Sequence, residues 1–430
     1  MRNSTPINEA SYKSRPVDTF VLRWGATPYR RRVLILEEQM KQYRVPFYER
    51  LRESLREEGI QLKVAYSDPS PGELEKMDNC DLPESYGIKV NAYRFGSNRF
   101  LYQPLMREIV AADLVIIDHA NRFVVNHFLL PLSRLGLKKV AYWGLGENMQ
   151  SDRSEISEWY KKRTLNWVDW WFAYTSGTAK YLRQHRVPDS KITTVQNSVD
   201  TLEIQARTHF LDEHAKRALR LRFGITPAAR VGICVGMLHK VKSLPFLLDA
   251  GRQIRECHRG FHLMIVGGGP DQMEITQSMR GQPWVHYVGP KFGDEKSDLL
   301  AISDLFLLPG RVGLGVLDGF AAGLPVLATR LPIHGPEFEY LEDGQNGLLT
   351  QHEPQAYAQA AIQLLQDPDK FERLRVGARL SCQKYSVQAM VENFHTGIQR
   401  CLSRRHRTDS ETLWGTEQSA SSNTSKAERP

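Results

Sequence analysis

Residues 304–329, DLFLLPGRVGLGVLDGFAAGLPVLAT, carry the densest chemistry-bearing pattern in the chain. The apolar run LFLLP meets the loop Gly310-Arg311-Val312-Gly313, and an apolar stretch with helical spacing follows. Glycines at such a junction let backbone N–H groups approach an oxyanion, and the helix N-terminus adds partial positive charge. Arg311 puts a fixed cation in the same loop. A tight strand-to-helix turn with no ligand has the same local pattern. Asp318 is the one acid on the helix LGVLDGFAAG, one turn along from Leu314. A carboxylate among apolar neighbours needs partners, which a ligand's hydroxyls, an arginine or a solvent-facing edge could supply.

A second constellation lies at 235–250, VGMLHKVKSLPFLLDA. The strand ends at Gly236, and a polar loop holds His239, Lys240 and Lys242. Ser243 suits the N-cap of the next helix, and Pro245 its first turn. Two lysines at a helix entry form a phosphate clamp, although a solvated loop reads the same way. A third junction, IVGGGPD at 265–271, places Gly269 between a strand and a helix. It is not the dinucleotide fingerprint GxGxxG, and no acid stands about 20 positions on, so an NAD enzyme is the poorer reading. In the first half, His119 closes the apolar run LVIIDH beside Asp118. At a strand's C-terminal edge it would face a cleft, whereas a lone histidine is commonly structural.

Strands and helices in alternation must position these groups. RRVLILEEQM opens a strand, and PFYERLRESLREEG puts Phe47, Leu51 and Leu55 at helical spacing before Gly59 stops it. Further strands are read at 60–67, 112–120, 137–146 and 170–176, with helices between them. A second series begins near residue 230 and repeats the alternation. Two mostly parallel sheets covered by helices follow, and such sheets bind ligands beyond their strand C-terminal ends. A chain of 430 residues also exceeds one ordinary core.

Composition removes several classes. With 41% hydrophobic and 25% charged residues the chain reads as a globular protein. No apolar run approaches the roughly 18–20 residues of a membrane helix, and the N-terminus lacks the apolar middle of a secretory signal. Cytoplasmic residence is the default expectation. The five cysteines include no CxxC pair, which speaks against a disulfide framework or a zinc site. The net charge of +8 suits anionic partners, yet no nucleic-acid-binding signature appears.

The order of these motifs resembles the donor domain of the retaining glycosyltransferase family 4, also called group 1. The string that carries the resemblance is VGMLHKVKSLPFLLDA, IVGGGPD, WVHYVGP, DLFLLPGRVGLGVLDGFAAGLPVLAT and EYLEDGQNGLL. NSVDT at 197–201 is similar to the family's inter-domain NGVDT. The resemblance implies the GT-B fold: two Rossmann-like, doubly wound domains facing across a cleft. It implies an arm over 1–30, an acceptor-binding domain over 31–205, a linker over 206–228 and a donor-binding domain over 229–385. A helix over 386–403 would cross back to the first domain, and 404–430 would be a disordered tail.

The same resemblance assigns roles. Lys242 would contact the donor diphosphate, with Lys240, Gly269 and Arg311 close by. The turn Gly313-Leu314-Gly315 would give amides to the phosphates, and Val288 would lie near the base. Asp318 stands at the second acid of the family's E-x7-E pair, which holds ribose, and His119 at its cleft histidine. Three positions depart from the pattern. The first acid of the pair falls on Gly310, the usual arginine is Met237, and the first loop carries Tyr43 and Arg44 in place of a glycine pair. Arg311 or Lys240 would then supply the missing arginine's charge.

The implied reaction moves a sugar from a nucleotide diphosphate sugar to an acceptor hydroxyl, with retention and with neither a metal nor a resident cofactor. The acceptor, a glycan, glycolipid or small molecule, would enter along residues 40–50, 94–105 and 143–165. Tyr43, Arg44 and Trp143 are its candidate contacts. Aromatic faces there suit sugar rings, and Arg94, Arg99 and Lys161–Arg163 suit phosphate or an anionic membrane face. A buried tryptophan cluster with a solvated edge is the plainer reading of that patch. A catalytically silent GT-B protein is the alternative function, and an epimerase or phosphorylase on the same fold a further one.

Overall fold

The computed structural model describes residues 29–70, 78–96, 99–146 and 155–404. The expected N-terminal arm and C-terminal tail lie, except for their inner edges, outside these residues. Apolar runs of the first half form β1 (Arg31–Gln39), β2 (Ile60–Ser67), β3 (Gly87–Lys89), the antiparallel pair β4 (Tyr93–Phe95) and β5 (Phe100–Tyr102), β6 (Leu114–Asp118), β7 (Lys139–Gly144), β8 (Trp170–Ala173) and β9 (Ile192–Thr194). Leaving out the antiparallel pair, they form one parallel sheet in the order β3-β2-β1-β6-β7-β8-β9.

The second half gives β10 (Arg230–Val235), β11 (Phe261–Val266), β12 (Val285–Gly289), β13 (Leu305–Leu308), β14 (Val326–Thr329) and β15 (Gly347–Thr350), all parallel, in the order β12-β11-β10-β13-β14-β15. Strands buried on both faces read as continuous apolar runs, which is why LVII and LFLL announce themselves. In each sheet the strand order reverses once, between β1 and β6 and between β10 and β13. Loops leaving the two strands at a reversal go to opposite faces and open a crevice. The motifs rich in lysine, arginine and glycine occupy those crevices.

Helix Val45–Glu57 buries Phe47, Tyr48, Leu51 and Leu55 against the first sheet, at the spacing expected of an amphipathic helix. Helix Val387–Ser403 packs into the same core through Val387, Met390, Phe394 and Ile398. Phe394 stacks on Phe172, ring centroids 4.5 Å apart, and meets Phe47 and Trp143 edge-on. The Lys139 ammonium donates to the carbonyls of Cys401, Leu402 and Arg404, so a cation closes that helix's C-terminal end.

The segment 206–228 is not a linker. Helices Leu202–Phe210 and Glu213–Arg222 pack on the second domain, where Ile204 and Ile225 join the core. Arg207 pairs with Asp298, and Arg220 with Asp304. Apolar residues widely spaced among arginines gave these helices the look of a connector. The chain passes between domains at 197–201 and again near Tyr385. Ser198 Oγ donates to Tyr385 O at 2.5 Å, which places the two crossings side by side. Among the described residues no helix is long and apolar enough to cross a membrane.

Candidate active site

The second domain's crevice is built by two loops that lean on each other. The loop after β10 makes a short turn over Lys240–Lys242, and the loop after β13 carries Gly310–Gly315. Arg311 N donates to Val241 O at 2.7 Å, and the Lys242 ammonium donates to Arg311 O at 2.8 Å. Lys242 is half-buried, and that burial together with the nearby Arg311 cation holds its pKa below the ordinary lysine value. An ammonium has three N–H groups, so one bond to Arg311 O leaves two for a ligand. The side chains of Arg311 and Lys240 are exposed at the same edge.

Gly310 has a structural cause. A Cβ there would lie 2.6 Å from Lys242 Cα, and nearer still to Val241 O and the Lys242 carbonyl carbon. Any side chain would part the loops that present Lys242. Gly269 is similar: its φ is +158°, and a Cβ would strike the Leu238 backbone, with Leu238 N 2.8 Å away. The glycine run 267–269 thus seats one loop on another, whatever it offers a donor. Ser243 holds the expected N-cap position, but its φ is +53° and its side chain makes no capping bond. His239 caps the preceding turn Lys240–Lys242, its Nδ1 accepting from Val241 N at 3.4 Å.

Asp318 has a partner that its local sequence does not announce. Lys296, on helix Gly293–Ala301, donates to both carboxylate oxygens at 3.2 and 3.1 Å. A ribose would therefore meet a carboxylate already paired with a lysine. Leu314 and Val288 lie at the margin of the second core, and Gly313 and Gly315 are partly open to solvent.

Sequence reasoning missed Glu337. It follows β14 in the short helix Pro336–Tyr340, is 4% exposed, and accepts from Asn197 Nδ2 at 2.6 Å. Its other oxygen lies 4.0 Å from where a Gly313 Cβ would stand. Burial raises its carboxyl pKa, while Asn197, Arg44 and Arg311 act against the rise. Two residues on, Glu339 crosses to the first domain and accepts from Ser176 N and Gly177 N, each at 2.7 Å, at the start of helix Ser176–Gln184. A carboxylate satisfies free N–H groups there. The available signal was the acid-rich string GPEFEY just past a strand end.

The first domain meets these loops with its own crevice. Glu37, at the end of β1, accepts from Tyr48 OH at 2.5 Å, and burial pushes its pKa up to about 7. Arg44 is 8% exposed, with its guanidinium carbon 4.9 Å from the Trp143 ring centre and 5.2 Å from that of Tyr43. Tyr43 is exposed. Trp143 is no open sugar platform: it is buried among Phe47, Tyr48, Tyr174 and Phe394, because β7 carries it into the core that helix Val387–Ser403 closes. His119 does not project freely into the cleft either. It is wedged edge-on between Tyr142 and Trp171, ring centroids 4.6 and 5.0 Å away, and its Nε2 is buried without a partner among the described residues. Burial, helped by the Lys161 charge, lowers its pKa to about 3, so it is neutral at physiological pH.

Two family models cover both halves of this arrangement. Residues 47–202 match Glycosyltransferase Family 4, and residues 229–367 match Glycosyl transferases group 1. This chain belongs to the group 1 glycosyltransferases. The group 1 chain is 28% identical over 195 residues to a D-inositol 3-phosphate glycosyltransferase of Corynebacterium urealyticum, covering 42% of this chain and 44% of that one. It is 23% identical over 186 residues to an alpha-monoglucosyldiacylglycerol synthase of Acholeplasma laidlawii, covering 42% and 46%. These matches span less than half of the relatives' length. A D-inositol 3-phosphate glycosyltransferase of Thermobispora bispora aligns more broadly, 25% identical over 364 residues, 78% of this chain and 80% of that one.

Solved structures share the fold of this group 1 chain. HepE of Anabaena in complex with UDP superposes with a TM-score of 0.63 at 16% identity, covering 86% of this chain and 99% of that one. Sucrose-phosphate synthase of Thermosynechococcus elongatus gives 0.63 at 15%, with the same coverage. The fold is GT-B, with two Rossmann-like domains.

Proposed function

We propose that the protein transfers a sugar from a nucleotide diphosphate sugar to an acceptor hydroxyl, with retention of anomeric configuration. The observation that carries this reading is the interlocked pair of loops that holds the Lys242 ammonium against the Arg311 carbonyl, beside the Gly313–Gly315 turn, at the second sheet's crevice. Cleaving the anomeric C–O bond places negative charge on the departing diphosphate. Lys242, Arg311 and the turn's amides stabilise that charge as it develops, where preorganised electrostatics contribute most. The new C–O bond forms on the face the diphosphate leaves, and the acceptor's proton passes to a leaving phosphate oxygen. The fixed cations take the part a divalent ion would otherwise play. His119, neutral and held between rings, shapes the wall beside the sugar. The acceptor is a glycan, a lipid-linked sugar or a small polyol; the relatives' names include both a phosphorylated polyol and a glycerolipid.

Glu337 supplies the carboxylate that Gly310 lacks. It reaches the Gly313 turn from the neighbouring loop, from which a sugar hydroxyl could be held without parting the lysine loop. The glycine at 310 also favours a second reading, a silent binder of nucleotide sugars. One experiment tests both. Uridine, guanosine and adenosine diphosphate sugars are screened by ligand-induced stabilisation, and the binder is followed for product and for slow donor hydrolysis. Stabilisation that Lys242→Ala weakens at least tenfold, with an α-linked product from an α-linked donor by NMR, supports the transferase. Binding without either turnover leaves the silent reading, and no binding at all overturns both.

A further inference from the structure

Arg44 is a buried cation with no direct ion pair among the described residues. It stands at the start of helix Val45–Glu57, whose first turn has no side-chain cap and no acid. Its guanidinium is sandwiched against Trp143 and Tyr43, its Nη1 is buried with no hydrogen-bond acceptor, and no ion pair reaches it among the described residues. A guanidinium stays charged in any protein environment, and burying an unpaired charge is costly. Glu37 is close enough for its charge to act on Arg44, yet no carboxylate among the described residues hydrogen-bonds or ion-pairs with the guanidinium. Glu37 receives the Tyr48 hydroxyl, Glu38 pairs with Arg94 and Arg122, Asp200 with Arg50, and Glu337 receives Asn197. The Arg44 charge acts on Glu337 and Tyr340 of the second domain as well as on Glu37 of its own.

Resting on the transferase reading above, we infer that the acceptor carries a phosphate group that docks against the Arg44 guanidinium. The donor's diphosphate has its own cations at the other sheet's crevice, where Lys242 neighbours Arg311. Arg44 belongs to the sheet on the acceptor's side. The guanidinium offers a fork of N–H donors that matches two phosphate oxygens, and it carries the attraction, since Val45 N already donates to Gln42 O and Pro46 has no N–H. Trp143 and Tyr43 hold that fork flat, which accounts for an arginine in a loop where the family resemblance expects glycines. The neutral hydroxyl that accepts the sugar would then be positioned by its anchored neighbour.

Titration calorimetry on the full chain tests this with two ligands read separately. The first arm measures UDP, GDP and ADP with wild type, Arg44→Gln and Arg44→Lys. The second, in UDP-saturated and in UDP-free protein, measures inorganic phosphate, myo-inositol 3-phosphate and, as the neutral control, myo-inositol. A water-soluble dihexanoyl phosphatidate distinguishes a lipid source of the phosphate from a polyol source. The expected result is at least tenfold tighter binding of a phosphorylated ligand than of inositol. Arg44→Gln abolishes that preference and Arg44→Lys retains part of it, while UDP affinity stays within twofold and the melting temperatures of the variants show that they fold. Phosphorylated ligands that bind no better than inositol overturn the proposal. So does a variant that weakens UDP instead, since the anion would then be the donor's. Failure of wild type to bind UDP, GDP and ADP alike removes the transferase reading and is seen independently of the nucleotide-free phosphate arm.

Discussion

Restoring the family's missing acid at position 310 should damage this protein, although sequence comparison alone suggests a repair. In Gly310→Ala the new methyl would stand 2.6 Å from Lys242 Cα and closer to two further backbone atoms. Backbone cannot rotate aside as a side chain does, so one of two costs follows. If the loops stay, overpacking costs about 1–3 kcal/mol. If they part, the bond from Arg311 N to Val241 O goes, worth about 1 kcal/mol, and with it the Lys242 bond to Arg311 O, about 1.5–3 kcal/mol for a charged donor. Between them the two routes span roughly 1–4 kcal/mol. At about 2–4 °C per kcal/mol for a domain of this size, the melting temperature should fall by about 3–15 °C. Gly310→Glu should fall further and gain no activity. Thermal unfolding with and without UDP measures the effect, and UDP affinity should weaken about tenfold as Lys242 loses its seat. A Gly310→Ala protein that melts within about 2 °C of wild type and binds UDP normally would refute the reasoning, as would higher turnover in Gly310→Glu.

Two further outcomes separate roles within the cleft. In Glu337→Gln the amide oxygen can still accept from Asn197, so the inter-domain bond survives while the carboxylate charge is lost. Turnover should drop at least tenfold, about 1.4 kcal/mol in the barrier, with UDP affinity within twofold; unchanged turnover would reduce Glu337 to a clamp. Glu37 governs a pH response. Its folded pKa, raised by burial from 4.5 to about 7, means the native state keeps a proton that the unfolded chain has lost. The stability it contributes is complete below about pH 4 and is lost as pH rises to about 7, an effect of roughly 3–4 kcal/mol. Melting curves between pH 5 and pH 8 should show wild type losing more stability than Glu37→Gln, and parallel curves would contradict the assignment.

What could be read from the sequence follows from how local each feature is. Buried parallel strands such as β6 and β13 must be continuous apolar runs, and strand–glycine–helix junctions recur at fixed spacing, so both crevices and Lys242, Arg311 and Gly313 were visible. The pairing of Asp318 with Lys296, 22 positions away, has no local period to betray it. The reason for Gly310 lies in the backbone of residues 241 and 242, which only the folded chain brings near. Trp143 and His119 sit at strand ends, where a sequence cannot distinguish a side chain facing the cleft from one drawn into the core. The helices at 202–222 looked like a linker because their few apolar residues are spread among arginines, yet Arg207 and Arg220 find carboxylates on the second domain.

The last described helix has a consequence for the order in which the molecule is made. Val387–Ser403 supplies six side chains to the core of the first domain, those of Val387, Met390, Val391, Phe394, Ile398 and Cys401. A ribosome finishes that domain's strands long before it reaches the helix, and at 5–20 residues per second the interval is about 10–40 s. Throughout it the newborn first domain displays an apolar groove beside Phe47, Trp143 and Phe172, while the second domain can complete itself unaided. The domain made first is thus the domain finished last, and a messenger cut short near residue 386 would release a closed second domain tethered to an open first one.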